Sequence, residues 1–302
     1  MSDDAQFRNE LVEAGLLIPM GTDADGVYAR SAVYEDVVAA VDRVATETAA
    51  GEHCQVMRFP PVMPRDVFER TGYLSSFPDL MGSVATFIGD NADHRKLMDV
   101  VQAGGEWTEL LKPAGVILCP AACQQLYSTL TGTLPEGGSR YDVSAWCYRH
   151  EPSMYAARMQ SFRMHEMVFV GDAASARAQR DQWLEQGVEL LSSLGLEVDT
   201  VVANDPFFGR IGKMLAENQK EEALKFEIVA PIDSLERPNA IASSNCHLDH
   251  FGEPFEIKTA DGEVAHSCCF AFGIDRISLA LIRAHGMDPS VWPATARARL
   301  WP

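Results

Sequence analysis

Apolar residues recur along this chain with two periods. Over residues 144–148 and 162–170, aromatic and aliphatic positions are interleaved with charges, as in half-buried strands. Residues 151–154 (EPSM) open with a breaker and read as a loop, so the two strands form an antiparallel pair with a long connection. A helical period governs residues 32–49: Tyr34, Val37, Val38, Val41 and Val44 share one face behind a capping Ser31, and Gly51 ends the run. That face predicts either core or a seam between two copies. A helix is also predicted over 173–194, with Trp183, Val188, Leu190 and Leu191 in helical spacing and Gly195 as its stop. A loop at 204–209 and an amphipathic stretch at 211–223 follow. Strands are predicted at 54–59 before Pro60 and Pro61, at 116–119, at 224–229 and at 241–247. Asp261 and Gly262 signal a hairpin turn, after which residues 266–273 run as a strand towards a helix at 277–285. A short helix at 6–14 and a hairpin near 20–26 begin the chain.

Length and charge narrow the class. The chain has 302 residues, enough for one large domain, and 47% are hydrophobic. No apolar run approaches the roughly 20 residues that span a bilayer, and the acidic first ten residues lack the features of a secretion signal. A cytoplasmic protein without membrane attachment is expected. Its seven cysteines read as thiols or ligands rather than a disulfide framework. The net charge of −18 argues against a large nucleic-acid footprint, because phosphate contacts dominate such affinity.

The hairpin carries the densest chemistry. Arg149 and Glu151 leave its first strand two residues apart, hence on one face. Arg158, Phe162 and Glu166 recur at spacing four on the return. A guanidinium can clamp a phosphate, an aromatic face can stack on a purine, and a carboxylate can receive an amine or a metal. A solvent face laced with cross-strand ion pairs has the same composition. Arg276 starts a helix, where its charge and the helix's positive end both favour phosphate oxygens. Cys123 falls at a strand-to-helix junction.

Residues 148–151 (YRHE) and 158–166 (RMQSFRMHE) resemble motif 2 of the class II aminoacyl-tRNA synthetases, with the cadence of the seryl subgroup. The order helix, strand, Pro60 resembles motif 1, which in that family builds a dimer interface. Residues 273–276 (GIDR) resemble motif 3. Lys225 and Glu227 take the polar positions of a seryl-type strand, and Ser243 and Ser244 those of its serine-rich strand. The resemblance covers residues 28–286. It implies an α+β class II synthetase core, an antiparallel β-sheet flanked by helices, in one catalytic domain over 1–302 with a helical insert at about 172–223. It implies ATP bound by Arg149, Glu151, Arg158, Phe162, Glu227, Ser243, Ser244 and Arg276, with Arg149, Glu151 and Arg276 catalytic. One departure stands out. Where the family places a Mg2+-binding glutamate, this chain has Ala240 or Ile241.

Two thiolates and a carboxylate with one open position suit catalytic Zn2+. The zinc-dependent seryl-like branch uses such a set at motif positions matching Cys123, Glu166 and Cys269. Alternation sends Cys268 and Cys269 to opposite faces, and Cys269 is taken as the third ligand. No heptad run suggests a tRNA-gripping arm, and no anticodon domain is expected after motif 3. This pattern resembles the amino acid:[carrier protein] ligases. The resemblance implies activation of glycine or alanine with ATP and Zn2+, with Mg2+ on the pyrophosphate. It further implies transfer to the phosphopantetheine thiol of a carrier protein rather than to tRNA, by a homodimer whose insert docks the carrier. A minimal seryl-type synthetase and a non-catalytic sensor are the alternatives.

Overall fold

The computed structural model describes residues 5–21, 24–205, 217, 222–234 and 236–302. The amphipathic stretch expected at 211–223 lies largely outside the described residues, as does most of the loop before it. In chain order, α1 (Gln6–Glu13) and the hairpin β1 (Leu17–Pro19) and β2 (Tyr28–Arg30) lead into α2 (Ala32–Gly51) and β3 (Gln55–Arg58). Next come β4 (Val62–Pro64), α3 (Arg65–Arg70), α4 (Tyr73–Ser76), β5 (Ser83–Thr86), α5 (Asn91–Gln102), β6 (Lys112–Leu118) and β7 (Gly132–Thr133). The remainder is β8 (Ser139–Tyr148), β9 (Ser161–Gly171), α6 (Ala173–Ser193), β10 (Asp199–Val202), β11 (Lys225–Ala230), β12 (Asn239–Leu248), β13 (Ile257–Lys258), β14 (His266–Gly273), α7 (Ile274–His285) and α8 (Ala294–Leu300).

Seven strands form the central sheet in the order β10-β11-β12-β14-β9-β8-β3. Every neighbouring pair is antiparallel except β3 with β8, which are parallel. The antiparallel sheet flanked by helices is therefore present. It divides two cores. On the helix side, Met167, Phe169, Cys268, Phe270 and Phe272 pack with residues of α2, α6 and α7. On the opposite side, Val168, Val170 and Cys269 pack with Cys123 and Tyr127. The split follows from alternation along β9 and β14.

The face of α2 left open between core and seam is core: Tyr34, Val37, Val38, Val41 and Val44 are buried, and the helix packs on α7 and α8. Ser31 caps it, its hydroxyl accepting from the Tyr34 N–H at 3.3 Å. Gly187 lies inside α6, where glycine costs about 1 kcal/mol against alanine. A Cβ there would stand 2.2 Å from Phe270 Cζ, so the missing side chain lets α6 lie against β14. One expected helix differs in kind. Residues 122–129 form a 3-10 helix, with the hydroxyls of Ser128 and Thr129 donating to carbonyls three residues back.

An ionic chain, buried at its centre, stitches the edge of the sheet to α2. His165 lies between Asp42, at 2.8 Å from Nδ1, and Asp142, at 2.6 Å from Nε2. Arg58 on β3 grips the same Asp142 through two nitrogens, at 2.8 and 3.2 Å. Burial would raise the Asp142 pKa, but His165 and Arg58 together hold it below the ordinary aspartate value. The carboxylate thus stabilises the fold above an unfolded pKa of about 3.9, and that contribution is lost as pH falls through the lower folded value. Asp142→Asn is expected to cost about 3 kcal/mol at neutral pH, because it strips the buried His165 and the more exposed Arg58 of their shared anion. The gap in melting temperature between wild type and variant should shrink below pH 4. A gap that stays constant down to pH 3 would contradict the role.

Candidate active site

The β8–β9 hairpin, β11, β12, β14 and the start of α7 line a cleft. Arg149, Glu151, Phe162, Glu227, Ser243 and Arg276 all line it. Three rows of side chains share this face by alternation: Phe162, Met164 and Glu166 on β9; Gly273, Ala271 and Cys269 on β14; and Ser243, Asn245 and His247 on β12. Each row runs along the sheet face from the arginine end, in the cleft, to a thiol end beyond its lining. Four residues of strand separate Phe162 from Glu166 by about 13 Å at roughly 3.3 Å per residue.

At the first end, two guanidinium groups converge. Arg149 Nε donates to the Pro120 carbonyl at 3.1 Å, and its guanidinium lies 5.6 Å from the Phe162 ring centroid. Arg276 sits in the first turn of α7, its Nε donating to Ala157 O at 2.9 Å and its Nη1 to Ala240 O at 3.0 Å. Burial, then repulsion from Arg149, depress the Arg276 pKa. Two close cations tethered by carbonyls rather than by carboxylates form a site for an anion. Arg158 stands at the mouth, outside the lining, with Nη1 on Glu151 Oε1 at 2.7 Å.

Ser244 requires a correction. It is fully buried on the helix side of β12, its hydroxyl donating to Arg180 O of α6 at 2.8 Å. Adjacent residues of a strand face opposite ways, so only Ser243 of the expected pair reaches the cleft.

At the second end, donor atoms of Cys123, Glu166 and Cys269 all lie within 4.8 Å of one another, and all three residues are buried. Cys123 is the second residue of the 3-10 helix after β6, and its N–H donates to Glu166 Oε1 at 3.1 Å. Cys268 points into the helix-side core. As anions these groups repel one another. The Cys123 thiol is pushed well above its ordinary pKa, first by the hydrogen bond with Cys269, then by burial and by Glu166. A divalent cation that accepts sulfur and oxygen reconciles two thiolates and a carboxylate in a dry pocket, so the residues fit Zn2+. The position expected for Mg2+ does not fit. Ala240 and Ile241 line the cleft without a carboxylate, and the Ala240 carbonyl is taken by Arg276.

Comparison with known proteins gives this geometry a context. No protein-family model matches the chain. "Amino acid--[acyl-carrier-protein] ligase 2" of Bradyrhizobium diazoefficiens is 45% identical over 274 residues, covering 90% of this chain and 82% of the relative. The chain belongs to the amino acid–[acyl-carrier-protein] ligase family. "Type-2 serine--tRNA ligase" of Methanopyrus kandleri is 27% identical over 264 residues, 80% of this chain and 50% of that protein. Among solved structures, M. kandleri SerRS in complex with A. aeolicus tRNASec superposes with a TM-score of 0.81 at 22% identity, covering 97% of this chain and 60% of that one. Seryl-tRNA synthetase from Pyrococcus horikoshii, complexed with ATP, gives 0.70 at 13% identity over 97% of this chain and 62% of that chain. The ligase therefore has the class II aminoacyl-tRNA synthetase fold, and it spans about half the length of the serine–tRNA ligase it matches. Among the described residues no helix is long and apolar enough to cross a membrane.

Several residues that shape the site escaped the sequence. Asp233 accepts from the N–H groups of Ala156 and Ala157 at 2.9 and 3.3 Å, fixing the loop whose Ala157 carbonyl holds Arg276. Asp275 accepts from Arg163 Nη2 at 2.8 Å and from the Arg163 N–H at 2.7 Å, anchoring the start of α7 to β9. Asn245 and His247 were findable, since they share parity with Ser243; Asp233 had no local signal. Cys123→Ala and Cys269→Ala are each expected to lose bound zinc while keeping the fold, whereas Cys268→Ala retains it. Metal analysis beside circular dichroism checks the contrast, and zinc retained by Cys269→Ala would remove that thiol from the set.

Proposed function

We propose that this ligase activates a small amino acid, glycine or alanine, as its adenylate and transfers the acyl group to the phosphopantetheine thiol of a carrier protein. The observation that carries the reading is one face of the sheet with the paired guanidiniums of the cleft at one end and the Cys123–Glu166–Cys269 cluster at the other. The 45% identity to a protein named for amino acids and acyl-carrier proteins supports the choice of acceptor. The acceptor thiol and the small amino acid rest on the resemblance carried by the sequence motifs.

In the first step an oxygen of the amino-acid carboxylate attacks the α-phosphorus of ATP in line, and pyrophosphate leaves. Arg149 and Arg276 stabilise the charge that builds on the phosphoryl oxygens, while Phe162 offers its ring to adenine. A carboxylate needs no deprotonation, so positioning supplies most of the rate. Held by Cys123, Glu166 and Cys269, Zn2+ would supply a Lewis-acidic centre for an unprotonated α-amine. In the second step the acceptor sulfur attacks the activated carbonyl, a thioester forms and AMP leaves.

ATP–pyrophosphate exchange across the twenty amino acids tests the first step, with exchange expected for glycine or alanine. No exchange with any amino acid would leave a sensor. Transfer to tRNA but not to a phosphopantetheinylated carrier would leave a minimal synthetase. Arg276→Ala is expected to lower exchange by at least a hundredfold with zinc content unchanged; equal loss of both would mean that Arg276 holds the fold rather than the phosphate.

The ligase is also proposed to be a homodimer. The core packing of α2 removes its apolar face as the seam, leaving the exposed edge strand β3 and the Pro60 and Pro61 turn beside it. Light scattering at micromolar concentration is expected to give twice the chain mass, and Val56→Lys, at an exposed position of β3, to shift it towards the monomer. A monomeric wild type would rule out the assembly.

A further inference from the structure

We infer that Asn245 and His247 are positioning residues for the Cys269 sulfur, holding it as a thiolate ligand and joining it through Ser243 to the nucleotide end of the cleft. This rests on the metal reading of Cys123, Glu166 and Cys269 given above.

The geometry starts from β12. Ser243 and Asn245 occupy alternate positions and so face the same side, Asn245 is the direct ladder partner of Cys269 on β14, and His247, where the register shifts, reaches the same sulfur. Asn245 Nδ2 lies 3.3 Å from Cys269 Sγ and 3.1 Å from Ser243 Oγ. A carboxamide has two N–H bonds, and here each has its own acceptor: the thiol of the cluster and the hydroxyl lining the cleft. His247 Nε2 lies 3.6 Å from the same Sγ. Its Nδ1 lies 3.2 Å from Tyr127 Oη and 3.1 Å from Ser267 Oγ. Hydroxyls can donate to Nδ1, which leaves the imidazole proton on Nε2, aimed at sulfur. Tyr127 and Phe251 meet the His247 ring edge-on, at interplanar angles of 90° and 82°, and so fix its direction.

His247 does not belong to the cluster whose donor atoms all lie within 4.8 Å, so it is placed beside a ligand rather than as one. A thiolate accepting two N–H bonds carries less unshared charge towards Glu166 and Cys123, and its orientation is set before a metal arrives. Outer partners of this kind commonly alter metal affinity 10- to 100-fold when removed. The bridge through Asn245 also means that displacing Ser243 at the nucleotide end must disturb a hydrogen bond to the metal-binding sulfur.

The test uses the full-length protein and two metals. In competition with a chromophoric chelator, Asn245→Ala and His247→Phe are each expected to weaken Zn2+ binding about tenfold or more. In the Co2+-loaded proteins, loss of an N–H donor should move the thiolate-to-metal charge-transfer band to longer wavelength. His247→Gln, which returns an N–H to the same region, should recover part of both effects. Should His247→Phe fail to fold, Asn245→Ala still decides the matter, because it deletes the shorter contact without touching the aromatic cluster. Wild-type affinity and an unmoved band in Asn245→Ala would overturn the inference while leaving the metal site standing. Unchanged metal binding with a raised amino-acid KM would also overturn it, by placing these residues on the substrate. A wild-type protein that binds neither Zn2+ nor Co2+ would overturn the metal reading, and this inference with it.

Discussion

Two guanidinium groups that repel each other are held at one end of a sheet face, and this is the interaction on which the rest of the site depends. Arg149 is tied to Pro120 O, and Arg276 to Ala157 O and Ala240 O. Carbonyls fix the direction of a guanidinium without neutralising it, so the positive charge stays available for an incoming anion. A carboxylate partner would have given a more stable empty site and a weaker one. Glu151 shows the contrast: its hydrogen bond goes to Arg158 at the mouth, and it acts on the two orienting cations inside only through space. The unfavourable part is visible in Arg276, whose pKa burial and Arg149 both depress.

Strand alternation then decides what the charge can act on. Residues of even number on β9, and of odd number on β12 and β14, face the cleft, and their neighbours face α2 and α6. The same rule places Cys269 with Cys123 and Glu166 while sending Cys268 and Ser244 into the helix-side core. A shift of one residue in any of the three strands would exchange a ligand for a core residue. Two devices guard the register: the ionic chain from Asp42 through buried His165 and Asp142 to Arg58, and the close seat of α6 that Gly187 allows.

The sequence made the parts legible where chemistry and local pattern coincide. Arg149, Glu151, Phe162, Glu166 and Arg276 sit in short strings whose spacing and flanking strands carry their own signal, and the structure brings all five to one face. Phase was harder. Nothing in two adjacent serines says which one faces inwards, and the answer needed the neighbouring β14 and α6. Contacts made across long separations left no trace. Asp233 reaches back 77 residues to cap Ala156, and His165 reaches 123 residues to Asp42. The 3-10 form of residues 122–129 was equally hidden, because helical periodicity does not distinguish it from an α-helix over so short a run.

The loop from Cys119 to Cys123 shows why the two ends of the cleft cannot be treated as independent. Its Cys119 carbonyl accepts from the Tyr148 N–H at 2.8 Å, which fixes the end of β8. One residue on, the Pro120 carbonyl directs Arg149. Three residues further, Cys123 offers its thiol to the cluster and its N–H to Glu166. A displacement of Cys123 is therefore transmitted within three residues to the carbonyl that aims a phosphate-binding cation. A second path runs through β12, where Ser243 and Cys269 share the amide of Asn245. A cleft whose reacting groups must be aligned to fractions of an ångström gains from this arrangement, because the elements that hold the amino-acid end also set the direction of the groups that hold the phosphate.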